Sequence, residues 1–273
     1  MVKDDLGTRM KEFYETVPKS KLMRRTPVAI RIDGRSFHTF AKGFVKPFDK
    51  VLMKSMQETM KYLCENVQGC VLGYTQSDEI TLILVDYKNL NSSAWFDYEV
   101  QKLCSISASM ATMRFNKELE NNFNKWRYVR TSFNNWGTNI SPEVEELCRT
   151  YRKAIDKGAM FDARCFNIPK EEVTNLILWR ELDAIRNSVE MVGHTYYTSS
   201  ELHGKTCEDI KNMLKTEKNF DWESLPLDCQ RGACCVHRKE SGILSREWTI
   251  DRSIPIFKGS DREYIDKLVF VGE

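Results

Sequence analysis

Two stretches, Pro27-Val28-Ala29-Ile30-Arg31-Ile32-Asp33-Gly34 and Gly73-Tyr74-Thr75-Gln76-Ser77-Asp78-Glu79, decide how this chain is read. In the first, Val28, Ile30 and Ile32 alternate with Ala29, Arg31 and Asp33, a period of two that marks a strand with one face toward a core. Gly34 ends it, leaving Asp33 at the strand's last turn. In the second, Cys70 to Gln76 reads as a strand, Glu79 to Val85 as another, and Ser77-Asp78 as the tight connection. The result is a hairpin with acidic residues at its tip.

Outward from these stretches, Asp49 is placed to cap a helix through about Asn66, with Leu52, Met56, Met60, Leu63 and Val67 at near-helical spacing. A second long helix is expected over roughly Ala94 to Glu120. Its middle, Cys104 to Ala111, is rich in small residues that let it lie close on a sheet. Met160 to Phe166 is the fourth strand. Strand, helix, strand, strand, helix, strand is the ferredoxin-like split βαβ order. That topology sets the end of the first strand beside the hairpin tip, so Asp33 and Asp78 become neighbours. The fold class is therefore α+β.

Beyond residue 170 the pattern becomes mostly helical: a helix over Lys170 to Val192, shorter pieces at Ser200–Leu202 and Cys207–Leu214, and a closing hairpin from Ala233–His237 and Glu247–Ile250. Residues 1–168 are expected to form the catalytic unit, and 169–273 a helical part packed on it. Residues 4–24 read as a short amphipathic helix with Leu6, Met10, Phe13 and Tyr14 on one side.

The chain has 273 residues, is 41% hydrophobic with a formal net charge of +2, and has a pI near 8.0. That apolar share supports a core and excludes disorder as the default. The near-balanced charge neither demands nor excludes nucleic acid. Nine cysteines without pairing rhythm or a C-x-x-C fit reduced thiols. Cys234, Cys235 and His237 lack a second ligand pair, so structural zinc is not expected. No apolar leader and no membrane-length apolar run is found, so a soluble, cytoplasmic protein is expected.

Magnesium prefers hard oxygen ligands and is usually held by one or two carboxylates plus substrate phosphates. Asp33 and Asp78 suit two Mg²⁺ ions, one activating an attacking oxygen and one neutralising a triphosphate. The Gly34 carbonyl is a further candidate ligand. The turn Gly34-Arg35-Ser36-Phe37-His38 offers N–H groups and basic side chains to phosphate, and Ser77 does the same from the hairpin. Either segment alone is most often an ordinary turn. Their coincidence at matching strand ends is what carries the reading.

The blocks Arg31-Ile-Asp-Gly-Arg-Ser-Phe-His38, Lys46-Pro-Phe-Asp49 and Gly73-Tyr-Thr-Gln-Ser-Asp-Glu79 resemble the signature blocks of the tRNA(His) guanylyltransferase family. Trp179-Arg-Glu-Leu-Asp-Ala-Ile-Arg-Asn187-Ser and Ser200-Glu-Leu-His-Gly-Lys205 resemble its guanylyltransferase-like branch, the 3′-to-5′ nucleotide polymerases. The likeness spans about residues 5 to 250. It implies a polymerase palm fold, two Mg²⁺ ions, and nucleotide addition to the 5′ end of tRNA after activation by ATP or GTP. It implies Asp33, Gly34 and Asp78 as metal ligands, with Glu79 beside them as a third catalytic residue. It places Asp33 to His38, Lys46, Asp49, Ser77, Asp78 and Asn187 on the bound nucleotide, and suggests a homotetramer built from dimers. The eukaryotic relatives carry His-Ile-Asn-Asn-Leu-Tyr-Asn where this chain has Ile185-Arg-Asn-Ser-Val-Glu-Met191. The departure favours templated 5′-end repair over strict G addition to tRNA(His).

Arg114, Lys117, Lys125, Trp126, Arg127, Arg130 and Trp136 interleave basic and aromatic groups in an expected loop. They fit either RNA contact or an ordinary solvated loop. Arg149, Arg152 and Lys153 read as a solvated helix face, with a tRNA footprint as the alternative. His38 and His203 are weak as general bases, and His194 is expected to cap a helix end. Two other functions compete. A palm-type nucleotide cyclase has no reason to carry the Trp179–Asn187 helix and Glu201–Lys205. A ferredoxin-like RNA-binding module would display aromatic residues on its central strands, not acids at their ends.

Overall fold

The computed structural model describes residues 5–132, 141–240 and 243–272. Among these, β1 (Val28–Gly34), β2 (Cys70–Gln76), β3 (Glu79–Leu84), β4 (Phe161–Asn167), β5 (Ala233–Glu240) and β6 (Ile243–Asp251) form one antiparallel sheet. Their spatial order is β4-β1-β3-β2-β5-β6. The first four strands make the ferredoxin-like arrangement. The closing hairpin extends the same sheet, β5 pairing with β2 through Gly73↔Cys235 and Tyr74↔Cys234.

In chain order the helices are α1 (Asp5–Met10), α2 (Phe37–Phe40), α3 (Lys50–Asn66), α4 (Val100–Ser132), α5 (Pro142–Lys157), α6 (Lys170–Tyr196), α7 (Ser199–Leu202), α8 (Cys207–Lys218), α9 (Leu227–Arg231) and α10 (Glu263–Val269). Ile30, Ile32, Ile80, Leu82 and Leu84 point to one face of the sheet and pack with Met56, Met60 and Leu63 of α3 and Phe115 and Leu119 of α4. Ala29, Ile83, Leu72 and Tyr74 point to the other and meet Val173 and Ile177 of α6 and Ile265 and Val269 of α10. The strand expected to have one buried face is therefore covered on both, and only Arg31, Asp33 and Gly34 in it are less enclosed. Gly73 is needed where α3 lies on β2, because a Cβ there would come within 2.5 Å of the Cys64 sulfur.

Two further expectations are corrected. The segment after Arg114 is helical, not a loop, as far as Ser132. Leu103, Ser107, Ala111, Phe115, Leu119 and Phe123 are all buried and recur at four-residue spacing, so the apolar stripe that holds α4 to the sheet runs past its expected end. Trp136 lies outside the described residues. At the other end of the chain, α1 gives way to a short π-type turn over Lys11–Glu15, and neither buries a residue. Pro18 disfavours helix in the residue before it, which stops the helix expected through residue 24. Leu6, Phe13 and Tyr14 are exposed.

The second half of α6, with α7 and α8, builds a smaller core from Val189, Val192, Leu202, Ile210, Leu214 and Trp222. Cys234 and Cys235 belong to opposite cores, as neighbours on a strand must. His194 lies in the last turn of α6. Among the described residues no helix is long and apolar enough to cross a membrane.

Candidate active site

Strand register assembles the site. Asp33 lies opposite Glu79 of β3 on one side and Asp162 of β4 on the other. The Gly34 N–H donates to the Asp78 carbonyl at 3.1 Å, tying the end of β1 to the hairpin tip. Glycine is required at position 34, since a Cβ would sit 2.2 Å from the Phe37 ring. In the tip, Ser77 takes a φ of 49°, and its hydroxyl donates to the Asp78 carboxylate at 2.9 Å.

The carboxylates differ in what neutralises them. Glu79 is held by Arg31, at 3.1 and 3.0 Å, and by Arg180 of α6, at 2.8 and 2.7 Å. Both its oxygens are therefore engaged. Asp33 and Asp78 form no ion pair within 4.0 Å among the described residues. Burial raises the Asp33 pKa first, and the charges of Glu79 and Asp162 raise it further. Burial also raises that of Asp78; the Ser77 hydrogen bond offsets part of this, and the Asp33 charge adds to it. Two desolvated, mutually repelling carboxylates form a place that favours a cation. No group of three or more His, Cys, Asp or Glu that could hold a metal occurs among the described residues. A cation between Asp33 and Asp78 must complete its shell from backbone, water or substrate oxygens.

Beside this pair opens a cavity of about 560 Å³, lined by Phe37, His38, Lys42, Lys46, Asp49, Ser77, Asp78 and Asn187, among others. Its size falls in the range of small-ligand sites. The basic residues His38, Lys42 and Lys46 share this lining with Ser77 and Asp78, and Asn187 joins it from α6. The Asn187 amide also donates to Asp183 at 3.4 Å.

Several expected nucleotide contacts have other partners. The carboxylate of Asp49 caps α3 by accepting from Leu52 N–H, and it also accepts from Val45 N–H and the Tyr151 hydroxyl. The Arg35 N–H donates to the Met160 carbonyl at 2.8 Å. Ser36 precedes α2 with a φ of 54°. Phe37 is 6% exposed and packs its ring on Phe40, Phe115 and Phe161. Asp33, Gly34, Arg35 and Ser36 adjoin the cavity without being among its lining residues.

Sequence reasoning missed Arg180, Asp162, Lys42 and the wall that α9 supplies through Asp228 and Cys229. For Asp162 the signal lay in strand register, which sets it opposite Asp33. For Arg180 it lay inside the Trp179–Asn187 block, where a buried cation needs a buried anion. The Trp179 ring lies against both arginines, 5.3 Å from Arg31 and 4.6 Å from Arg180. For α9 there was no local signal.

A ferredoxin-like sheet with carboxylates outside any direct ion pair among the described residues at the end of its first strand and at its hairpin tip, beside a cavity of ligand size, defines a palm of the nucleotide-handling kind. The family model described as tRNAHis guanylyltransferase matches residues 7–169. The chain belongs to that family. A bacterial tRNA(His) guanylyltransferase-like protein solved in complex with ATP superposes with a TM-score of 0.78 at 36% identity, covering 97% of this chain and all of that one. A structure of such a protein in complex with GTP gives a TM-score of 0.76 at 33% identity, covering 98% of this chain and 100% of that chain. The probable tRNA(His) guanylyltransferase of Homo sapiens is 32% identical across 81% of this chain and 67% of its own length. A protein of Acanthamoeba polyphaga mimivirus with no assigned role is 29% identical across 83% of this chain and 75% of its own.

Proposed function

We propose that this chain is a magnesium-dependent nucleotidyltransferase that extends the 5′ end of tRNA in the 3′-to-5′ direction. The observation that carries the reading is the Gly34–Asp78 tie, which holds Asp33 and Asp78 together beside a cavity with basic lining residues, neither carboxylate making an ion pair within 4.0 Å among the described residues. Hard oxygen donors at that point fit Mg²⁺. Asp33, the Gly34 carbonyl and Asp78 would hold two such ions, which when bound supply charge neutralisation at the triphosphate and a more acidic attacking hydroxyl.

The chain's own groups position the reactants. Lys46, Lys42 and His38 neutralise phosphate charge from one wall, and the amide of Asn187 donates from α6. In the first step the tRNA 5′-phosphate attacks the α-phosphorus of ATP or GTP, and pyrophosphate leaves. In the second, the 3′-hydroxyl of an incoming nucleotide attacks the activated 5′-phosphate, and the activating nucleoside monophosphate leaves. Ile185, packed against the smaller core, stands where the eukaryotic pattern has histidine, which supports templated repair over G addition to tRNA(His). The proposed assembly is a cytoplasmic homotetramer of dimers, to which the exposed Leu6, Phe13 and Tyr14 offer apolar surface.

The test is incubation with tRNA truncated at its 5′ end, Mg²⁺ and each nucleoside triphosphate. Templated lengthening at the 5′ end is expected. Conversion of the triphosphate to a cyclic monophosphate, with the RNA unchanged, would overturn the reading in favour of a cyclase.

A further inference from the structure

A second cavity lies outside the site just described, between the start of α3 and the end of α4. It holds about 620 Å³ and is walled by Lys50 and Lys54 from α3, by Lys125 and Arg130 from α4, and by Trp126 and Val129. All four cations are exposed, and among the described residues none of them makes an ion pair within 4.0 Å. Other cations on the same helices are paired, as Lys61 is with Glu65 and Arg114 with Glu118. Like charges around one concavity repel each other, so the arrangement favours an anionic occupant.

The tryptophan makes this more than a patch of lysines. Trp126 packs edge-on against Tyr151 at 5.5 Å and lies 6.3 Å from the Phe123 ring, nearly parallel to it. It is a fixed apolar wall among cations, a combination that suits the sugar and base of a nucleotide beside its phosphate. The cations come from two helices: Lys50 and Lys54 lie about one helical turn apart on one face of α3, and Lys125 and Arg130 reach the cavity from α4. Charges spread over two helices suit a run of phosphates better than one triphosphate.

The position completes the argument. Lys50 directly follows Asp49, which lines the first cavity. Lys50, Val51 and Lys54 line one cavity and Asp49, Leu52 and Met53 the other, so the first turns of α3 stand between the two. Lys50 also exerts its charge on Cys229, another residue of the first cavity's wall.

We propose that this cationic, tryptophan-walled cavity binds the phosphodiester backbone of the RNA substrate and holds the strand beside the cavity in which its 5′ end reacts. The inference rests on the proposed function for the identity of the polyanion. Neutralising a phosphate with a lysine or arginine releases counterions, so each such contact contributes roughly 0.7–0.9 to the slope of log affinity against log salt.

The test measures binding of 5′-truncated tRNA by fluorescence anisotropy across a salt series, without nucleoside triphosphate. Wild type is compared with the triple variant Lys54→Ala, Lys125→Ala, Arg130→Ala. The variant is expected to bind more weakly at every salt concentration, its slope shallower by about 2–3, with ATP and GTP affinity unchanged in calorimetry. If the triple variant does not fold by circular dichroism, the single change Lys54→Gln replaces it, with a slope loss of about one expected. An unchanged slope overturns the proposal. So does loss of triphosphate affinity with RNA binding intact, which would make the cavity a nucleotide site. The two readings fail separately. A wild type that binds RNA in this way but never extends it contradicts the proposed function alone. An active wild type whose variants keep the full slope contradicts this inference alone.

Discussion

Arg180 of α6 donates to both carboxylate oxygens of Glu79 on β3, at 2.8 and 2.7 Å. Both partners are buried, and Arg31 engages the same two oxygens from the neighbouring strand. The glutamate of the hairpin is therefore an anchor. It fixes α6, and with it Asn187 about two turns further on, against the strand that follows Asp78. Removing Arg180 leaves Glu79 paired with Arg31 alone and takes away two charge-assisted hydrogen bonds. Arg180→Ala is expected to lower stability by about 2 kcal/mol in chemical denaturation and to raise KM for the nucleoside triphosphate. Unaltered stability and KM would show that the clamp does not position the helix.

Asp33 and Asp78 have pKa values raised mainly by burial, so each holds its proton more tightly in the folded chain than in the unfolded one. A carboxylate of this kind lowers stability as pH rises from its unfolded value through its folded one, and the cost persists at neutral pH. Asp33→Asn and Asp78→Asn are therefore expected to melt at a higher temperature than wild type at pH 7.5 while losing transfer activity. A lower melting temperature in both would contradict the picture of an electrostatically strained pair.

The Asp49 carboxylate joins three donors, two of them backbone N–H groups at 2.9 Å and the third the Tyr151 hydroxyl at 2.6 Å. Asp49→Ala removes a helix cap, and about 2 kcal/mol of stability should go with it. Asp49→Asn keeps an accepting oxygen for the Leu52 N–H and is expected to retain most of that cap. Equal losses in the two variants, read from denaturant midpoints, would argue for charge over capping.

Glu181 faces the interior, with one oxygen accepting from the Phe257 N–H at 3.1 Å and the other without a hydrogen-bond partner among the described residues. Burial pushes its pKa from 4.5 up to about 7. Ionising it costs stability progressively between those two values, and the full cost applies above about 7. Melting temperature should therefore fall as pH rises from 5 to 8 in wild type and fall less in Glu181→Gln. Parallel melting profiles would contradict the assignment.

The first four strands, α3 and the first part of α4 were legible because their patterns are local: period two around Ile30 and Ile32, a capping aspartate before Leu52, acids at a hairpin tip. α2 was read as part of a turn, and the extent of α5 was not read. Asp33 and Asp78 were legible as neighbours because the split βαβ order leaves little freedom in where strand ends meet. What escaped was set by long-range packing. α4 runs through the residues read as a loop because Phe115, Leu119 and Phe123 meet the core, which polar neighbours such as Asn121 and Asn122 obscure. Asp49 reads equally well as a cap or a ligand contact, and only its three donors show where its oxygens are engaged. The role of Arg180 depends on a glutamate far away in the chain. Of the cationic cavity, Lys125, Trp126 and Arg130 were legible as candidate RNA contacts, whereas Lys50 and Lys54, which α3 brings beside them, look like solvated surface in the sequence.

The central claim is that Asp33 and Asp78 together carry the nucleotide transfer. Its most direct test is single-turnover extension of 5′-truncated tRNA with Mg²⁺ and nucleoside triphosphate, comparing wild type with Asp33→Ala and Asp78→Ala, each shown to be folded. The account predicts 5′-extended RNA from wild type and a loss of at least about 10²-fold in either variant. Wild-type rates in either variant would contradict it.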